Sequence, residues 1–504
     1  MATSPSTTHD SAPLDSILII GAGVFGLSTT LSLLASGYAH TTITLLDPYL
    51  PTSDTLPPSP SPSPSPSPSP SPSPSPSPSP SAPPQNPHAA SIDSSRIIRP
   101  DYALPPYAKL ASRAQSEWRR GYGGEGVYRE SGVILSAEKG GSEYVGSAMG
   151  NAEVLGYRVE GLGSKESVRR VLGTGGEGGE SGYVNWGSGW ADAGRAMDRC
   201  MRMVMEGARE RMGTEGRGTG RVVFKRGRAR RLIFRDGEGE GKRRVVGATL
   251  DDGFEVLADL TIVAAGAWSG ALVDLRGRAE ARGQVLAYIS LTDEERERLE
   301  DMPVVLNLST GMFAIPPIDN VSAPPPGQET RPRDWVLKVA RHAFGYANPT
   351  VVAPEGDDIV ISLPATTFSP IPAEGEEACR SFLQKTIPWL GDRPFSSTRI
   401  CWYTDTPTGD FLIDYHPEYE GLFLATGGSG HGFKFLPVLG DKIVAAVQGA
   451  LEDELAGLWR WPREKVLPFR GCEDGSRMGD REMILDEEWA KGKRKGERVR
   501  SSRL

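Results

Sequence analysis

Cysteine is scarce in this chain. Its 504 residues include four (Cys200, Cys379, Cys401 and Cys472), scattered and without C-x-x-C spacing. Neither a zinc site nor a disulfide framework is therefore expected, and a reducing or peroxisomal compartment fits better than secretion. Long apolar runs are missing as well: no segment offers about 20 uninterrupted apolar residues, so a membrane span is not expected. There is no excess of positive charge. The formal charge of −8 weighs against nucleic acid as the main partner. The N-terminal MATSPSTTHDSAPLD lacks the basic and apolar blocks of a signal peptide.

Glycine and proline are plentiful, at 60 and 42 residues, in a chain whose 38% hydrophobic and 24% charged content is that of an ordinary soluble protein. At this length two packed regions are expected rather than one core. From Ser16 the chain reads SILIIGAGVFGLSTTLSLLASG, a short apolar strand running through glycines into a helical pattern, and TTITLLD closes a βαβ unit at Asp47. A Ser-Pro repeat from Ser59 to Pro80 follows. Alternating proline removes backbone donors and favours polyproline II, so this piece reads as a solvated loop outside any core.

Further on, PPYAKLASRAQSEWRR and WADAGRAMDRCMRMVMEGARERM read as helices, and RVVF, RRLIF, RRVVGATL and FEVLADLTIV as strands. The glycine-rich stretch between Gly121 and Gly189 reads as loops. EGLFLATGGSGHGFKFLPVLGDKIVAAVQGAL makes one more strand, glycine turn and helix, and beyond Pro462 the signals fade into a charged tail.

Gly21, Gly23 and Gly26 stand in G-x-G-x-x-G order between strand and helix, where backbone can approach a pyrophosphate at the helix N-terminus. Asp47 lies 21 residues after Gly26, placed to bind ribose hydroxyls. Sheet pieces return near Gly266 and at Gly427–Gly430, separated by a long insertion; this suits an FAD domain interrupted by a substrate domain better than an uninterrupted NAD fold. Taken alone, Cys401 reads as a buried inert thiol. Lys338 reads as a solvated charge, His342 as a satisfied surface histidine, and Arg96 and Arg99 as ion-pair partners.

The ordered set GAGVFG, SSRIIR, AAGAWS, LKVARH, CWYTDTPTGDFLID and SGHGFKF resembles the sarcosine oxidase-like amine oxidases, a family that includes fungal fructosyl amino acid, saccharopine and pipecolate oxidases. The resemblance spans about Ser16 to Ala450 apart from the Ser-Pro insertion. It implies an α/β fold in which a Rossmann-like FAD-binding domain is interleaved with an α+β substrate domain, as in the glutathione-reductase-like amino acid oxidases. The expected division is a disordered 1–15; an FAD domain of 16–115, 190–275 and 390–450; the Ser-Pro insertion at 57–84; a substrate domain of 116–189 and 276–389; and a C-terminal segment, 451–504.

The implied activity is oxidation of a secondary amino acid, with electrons passed to oxygen and hydrogen peroxide formed. Rival readings are a flavin dehydrogenase with another acceptor, or a non-catalytic flavoprotein whose Ser-Pro loop recruits partners. The resemblance joins Cys401 to the flavin 8α-methyl group. It pairs Arg99 with Lys434 on the substrate carboxylate, sets Lys338 near flavin N5 to activate oxygen, and puts His342 beside the substrate. Cofactor contacts are expected at Gly21, Gly23, Val24, Gly26, Asp47, Ser95, Arg96, Val223, Gly266, Trp268, Gly430, His431, Gly432, Phe433 and Lys434. GMFAIP departs from the bacterial pattern of tyrosines, and Met312 and Phe313 are expected to make the pocket wall apolar. The terminal Ser502-Arg503-Leu504 differs from the peroxisomal S-K-L address by a basic swap, so an import receptor is an expected partner and the peroxisome the expected location, with the cytoplasm as fallback.

Overall fold

The computed structural model describes residues 14–50, 89–139, 142–213, 220–237, 242–319, 334–366, 370–463 and 469–492. The Ser-Pro repeat, nearly all of the N-terminal stretch and the Ser502–Leu504 address lie outside the described residues. No helix among the described residues is long and apolar enough to cross a membrane, and no group of three or more His, Cys, Asp or Glu among them could hold a metal.

Strand β1 (Ser16–Ile20), helix α1 (Val24–Ala35) and strand β2 (Thr42–Asp47) form the expected βαβ unit. β1 is buried from Ile17 onward, as a parallel strand covered on both faces must be. It pairs in parallel with β2 on one side and Leu260–Val263 on the other. The sheet continues in parallel to Val222–Arg226 beyond β2 and to Leu422–Thr426 beyond Leu260–Val263, and an antiparallel Leu412–Tyr415 closes the edge. One face is covered by α1 packed against Ala193–Gly213 and Leu439–Val447. The approach to the latter is close: a Cβ on Gly440 would meet the Ser28 carbonyl oxygen at 1.9 Å.

A second, eight-stranded sheet runs Ser397–Asp405, Glu280–Leu291, Trp335–Arg341, Met312–Asp319, Val304–Asn307, Val133–Ala137, Ser181–Asn185, Val159–Leu162. Ser397–Asp405 pairs along its length with Glu280–Leu291, so the part of 390–450 that carries Cys401 runs in this sheet and not in the dinucleotide-binding one. Three strands of the sheet, with helices Glu143–Val154 and Lys165–Leu172, come from the stretch expected to be loops. Its glycines serve close packing there: a Cβ on Gly182 would meet the Leu135 carbonyl oxygen at 2.0 Å across the strand pair. The segment 469–492 also returns to the body of the protein, burying Ser476, Arg477 and Leu485.

His416 links this architecture to pH. It is 4% exposed, stacked on Tyr419 at 4.4 Å and edge-on to Trp461. Burial, opposed in part by Glu418, pulls its pKa down to about 4. In the unfolded chain an imidazole protonates near 6.5, so the folded state binds fewer protons between pH 6.5 and 4. Stability is therefore expected to hold above pH 6.5 and to fall by up to about 3 kcal/mol as pH drops through that window. Urea denaturation of the wild type and of His416→Phe at pH 7, 5.5 and 4.5 checks this, because the variant should lose that component of the slope.

Candidate active site

At the C-terminal ends of the parallel strands lies a cavity of about 600 Å³ lined by Gly21, Gly23, Val24, Asp47, Ser91, Arg96, Gly266, Trp268, Gly430, Gly432 and Phe433, among others. Its floor is the glycine turn. Gly21 has φ +110°, a conformation that favours glycine, and its backbone N–H donates to the Leu46 carbonyl at 2.8 Å. Gly23 caps α1 without a side-chain hydrogen bond, and a Cβ there would meet only Ser91 Oγ at 3.9 Å. The helix therefore presents uncapped N–H groups to open space. Asp47 accepts from the backbone of Ala22 (3.0 Å) and Tyr49 (2.9 Å), and burial raises its pKa against these bonds.

Gly26 does not line the cavity. A Cβ there would lie 1.8 Å from the Gly21 carbonyl oxygen, so its task is packing helix against turn. Gly26→Ala is expected to cost about 1–3 kcal/mol of stability and to lower FAD content per chain, as measured by urea denaturation and visible absorbance. Val223 also lies away from the cavity: it pairs with Thr44 near the start of its strand, while Gly227 and Arg228 past the strand's end, with Ala229 and Arg230 opening the next strand, form the wall. Ligands meet such sheets at strand C-termini, and Val223 sits too early. Ser95 is fully buried; its backbone oxygen accepts from Lys338, and its Oγ has no partner among the described residues.

A second cavity of about 70 Å³ shares Arg96, Tyr403, Gly430 and Phe433 with the first. Around it the fold gathers Arg99, Lys338, His342, Cys401, His431 and Lys434. The readings of Lys338 as solvated and His342 as a surface residue do not hold: Lys338 is 1% exposed and the His342 ring faces this cavity. Lys338 Nζ donates to Asp93 Oδ2 at 2.5 Å and to the Ser95 carbonyl at 2.8 Å. Burial, then Arg96, disfavours its ammonium; the Asp93 carboxylate in contact opposes this. Arg96 also pairs with Asp93, so two cations share one carboxylate, and Arg96 Nη2 reaches Cys401 Sγ at 3.5 Å. A positive charge thus rests against the sulfur.

Lys434 Nζ donates to Tyr102 Oη (2.8 Å) and the His431 carbonyl (3.0 Å). His431 Nε2 faces the Gly409 carbonyl at 2.8 Å and must donate to it; its Nδ1 then accepts from Tyr102 at 2.9 Å. Burial first, then neighbouring cations, holds His431 and Lys434 well below their ordinary values. Arg99 bonds the Asp101 carbonyl and sits 5.3 Å from the Tyr102 ring centroid. No ion pair among the described residues reaches Arg99 or Lys434 with a carboxylate. The apolar wall is Phe313 and Ile315 together with Leu286 and Leu306. Met312 is not part of it: successive strand residues face opposite sides, and Met312 packs in the core beyond the sheet.

Sequence reasoning missed Tyr102, Asp93, Tyr403 and the segment around Ser476. Ser476 Oγ lies 3.4 Å from His342 Nε2, and Arg477 is clamped to Asp405 and to the carbonyls of Ser429 and Ala343. Nothing in the charged tail signals these contacts, which depend on a return of the chain across the molecule.

The larger cavity suits FAD. Uncapped helix N–H groups meet a pyrophosphate, Asp47 keeps acceptor capacity for a ribose, and the space runs on past Gly266 and Gly430 to the second cavity.

Residues 84–446 match the model of the DAO family, described as FAD dependent oxidoreductase. The chain is 31% identical to the amino acid oxidase imqH of Aspergillus flavus, over 89% of this chain and 97% of that protein. It is 28% identical to the L-saccharopine oxidase of Schizosaccharomyces pombe, over 88% and 92%. The crystal structure of the fructosamine oxidase Amadoriase II from Aspergillus fumigatus superposes with a TM-score of 0.69 at 28% identity, covering 95% of this chain and 96% of that one. The interleaved α/β architecture is thus that of a known flavoenzyme fold, and the chain belongs to the FAD dependent oxidoreductase family.

Proposed function

We propose that this protein is an oxidase of a secondary amino acid, N-substituted or cyclic, that holds FAD covalently through Cys401 and passes electrons to oxygen, yielding an imine that hydrolyses and hydrogen peroxide. One observation carries the reading. Two buried basic side chains, Arg99 and Lys434, line a small cavity that opens on the cofactor cavity; neither makes an ion pair among the described residues, and Asp101, the buried carboxylate near both, is engaged by Tyr183, Asn185 and Ser188. Buried charges need partners, and a substrate carboxylate supplies one. A planar guanidinium and a point-charge ammonium together fit that group. Relatives named for saccharopine and for sarcosine support a secondary amine as the reacting group.

When bound, FAD supplies a two-electron acceptor for hydride from the carbon beside nitrogen. The chain's own residues do the rest. Arg99 and Lys434 anchor the carboxylate, which orients the amine. Phe313, Ile315, Leu286 and Leu306 keep that end of the cavity apolar and limit competing water. Lys338, held by Asp93, presents a fixed cation where negative charge develops as oxygen is reduced. Peroxide production gives the terminal Ser-Arg-Leu a rationale, and we place the enzyme in the peroxisome, delivered by an import receptor that reads that tail.

A peroxide-coupled screen of N-alkyl and cyclic amino acids, including pipecolate, saccharopine, sarcosine and fructosyl derivatives, tests the reading. Turnover with peroxide formed one-to-one with oxygen consumed is expected. Silence across the panel, or turnover seen only with an artificial dye, would overturn it.

A further inference from the structure

The segment 469–492 reaches His342, which lines the small cavity, through Ser476, which is 3% exposed. Its Oγ lies 2.7 Å from each carboxylate oxygen of Asp474 and 3.4 Å from His342 Nε2. An ionised carboxylate can only accept, so the single hydroxyl proton of Ser476 goes to Asp474, and Ser476 Oγ accepts from His342 Nε2–H. His342 Nδ1 then carries the ring's lone pair, and it has no hydrogen-bond partner among the described residues. The arrangement is held firmly. The adjacent Arg477, side chain 1% exposed, binds Asp405 at 2.9 Å, Ser429 O at 2.8 Å and Ala343 O at 3.1 Å, the last next to His342 in the chain.

We propose that His342, Ser476 and Asp474 form a proton exit that strips the ammonium of an incoming amino acid, with Ser476 and Asp474 as the residues that position His342 and carry its proton away. The inference rests on the amine oxidase reading. An amino acid arrives in neutral water with its amine protonated, and the nitrogen must regain its lone pair before the neighbouring carbon can be oxidised. A substrate N–H bond breaks, its electron pair staying on nitrogen, while an N–H bond forms at His342 Nδ1. The Nε2 proton passes to Ser476 Oγ as the hydroxyl proton passes to Asp474, which is half-buried and can reach water. Three protons shift by one position each; the net result is one proton carried from the substrate nitrogen to Asp474, and no electrons are transferred.

The surroundings favour onward transfer. Arg477, Arg99, His431, Lys434 and Lys338 are the cationic or titratable groups around the ring, with Tyr403 at 5.8 Å between centroids and Asp474 behind Ser476. Burial first, and then Arg477, Arg99, His431 and Lys434, keep His342 well below an ordinary imidazole. It is neutral before substrate arrives and does not retain the proton afterwards.

The test uses the FAD-loaded enzyme and its Ser476→Ala, Ser476→Thr and Asp474→Asn variants. At pH 7, kcat/KM of Ser476→Ala is expected to fall about 100-fold, the low end for a positioned proton-transfer group, and the deficit should close at alkaline pH, where the substrate amine deprotonates without help. Ser476→Thr, which keeps the hydroxyl, should recover most of the rate, and Asp474→Asn should resemble Ser476→Ala. A merely structural role would give a deficit independent of pH, and that result overturns the proposal. Nitrogen NMR of histidine-labelled, substrate-free enzyme gives a readout apart from activity: His342 should carry its proton on Nε2, and a proton on Nδ1 sinks the relay. If no amino acid is turned over at all, the oxidase reading fails, while the NMR result still judges the hydrogen-bond chain by itself.

Discussion

Replacing Cys401 by alanine is expected to give a folded chain that binds FAD yet surrenders all of it on acid denaturation, where the wild type carries yellow fluorescence with the polypeptide on a gel. Cys401 is 1% exposed, faces the cavity shared with the cofactor site, and has the Arg96 guanidinium 3.5 Å from its sulfur. Thiols react as thiolates, and an adjacent cation helps. The other three cysteines provide the contrast. Cys200, Cys379 and Cys472 are buried, line neither cavity, and have their thiols pushed up by burial, to about 12 for the first two. Alanine at those positions should leave the covalent flavin in place. Colour that washes out of the wild type, or that survives in Cys401→Ala, would falsify the attachment. On the proposed attachment, losing the tether is also expected to slow turnover, because a thioether at the 8α carbon would raise the flavin's reduction potential.

The second large effect is at Lys434. Lys434→Met keeps the volume and removes the charge, and kcat/KM for an amino acid substrate should drop between about 30-fold and a few thousand-fold, the range for truncating one partner of a buried, hydrogen-bonded charge pair. An N-alkyl amine without a carboxylate supplies the control: its turnover, slow in the wild type, should change little. A uniform loss on both substrates would instead point to damage passed through Tyr102, which loses its donor in the variant. FAD content per chain separates the two cases, and it should stay at the wild-type level.

The βαβ unit, its glycines and Asp47 were legible because the whole device is built from neighbours in sequence. A strand, a turn and a helix within one short stretch decide where a pyrophosphate can sit. The role of Gly26 as a packing glycine and the position of Val223 too early in its strand became clear only when the sheet was assembled. The stretch Gly121–Gly189 misled for the opposite reason. Its glycines read as loop, but Gly182 permits a strand pair to close, and the capping box of Ser164 and Ser167 starts a short helix whose amphipathic run is too brief to stand out.

In sequence Met312 and Phe313 are equally apolar candidates for the pocket wall, although strand geometry sends neighbours to opposite faces; which of the two faces inward is decided by the pairing with Trp335–Arg341. Asp93 gives no sign in sequence that it will bind Lys338, Arg96 and Tyr288 at once.

What the sequence determined was the cofactor class, through a strand, glycine turn and helix whose geometry is local, while the roles expected of Cys401, Lys338, His342, Arg99 and Lys434 came from the family resemblance. Tertiary structure alone decided the company each side chain keeps: a lysine paired with Asp93, a second lysine with no ion pair among the described residues, a histidine joined to a serine from the far end of the chain. Burial and charge pairing set what those groups can do, and both arise from contacts between residues hundreds of positions apart, on which local pattern is silent.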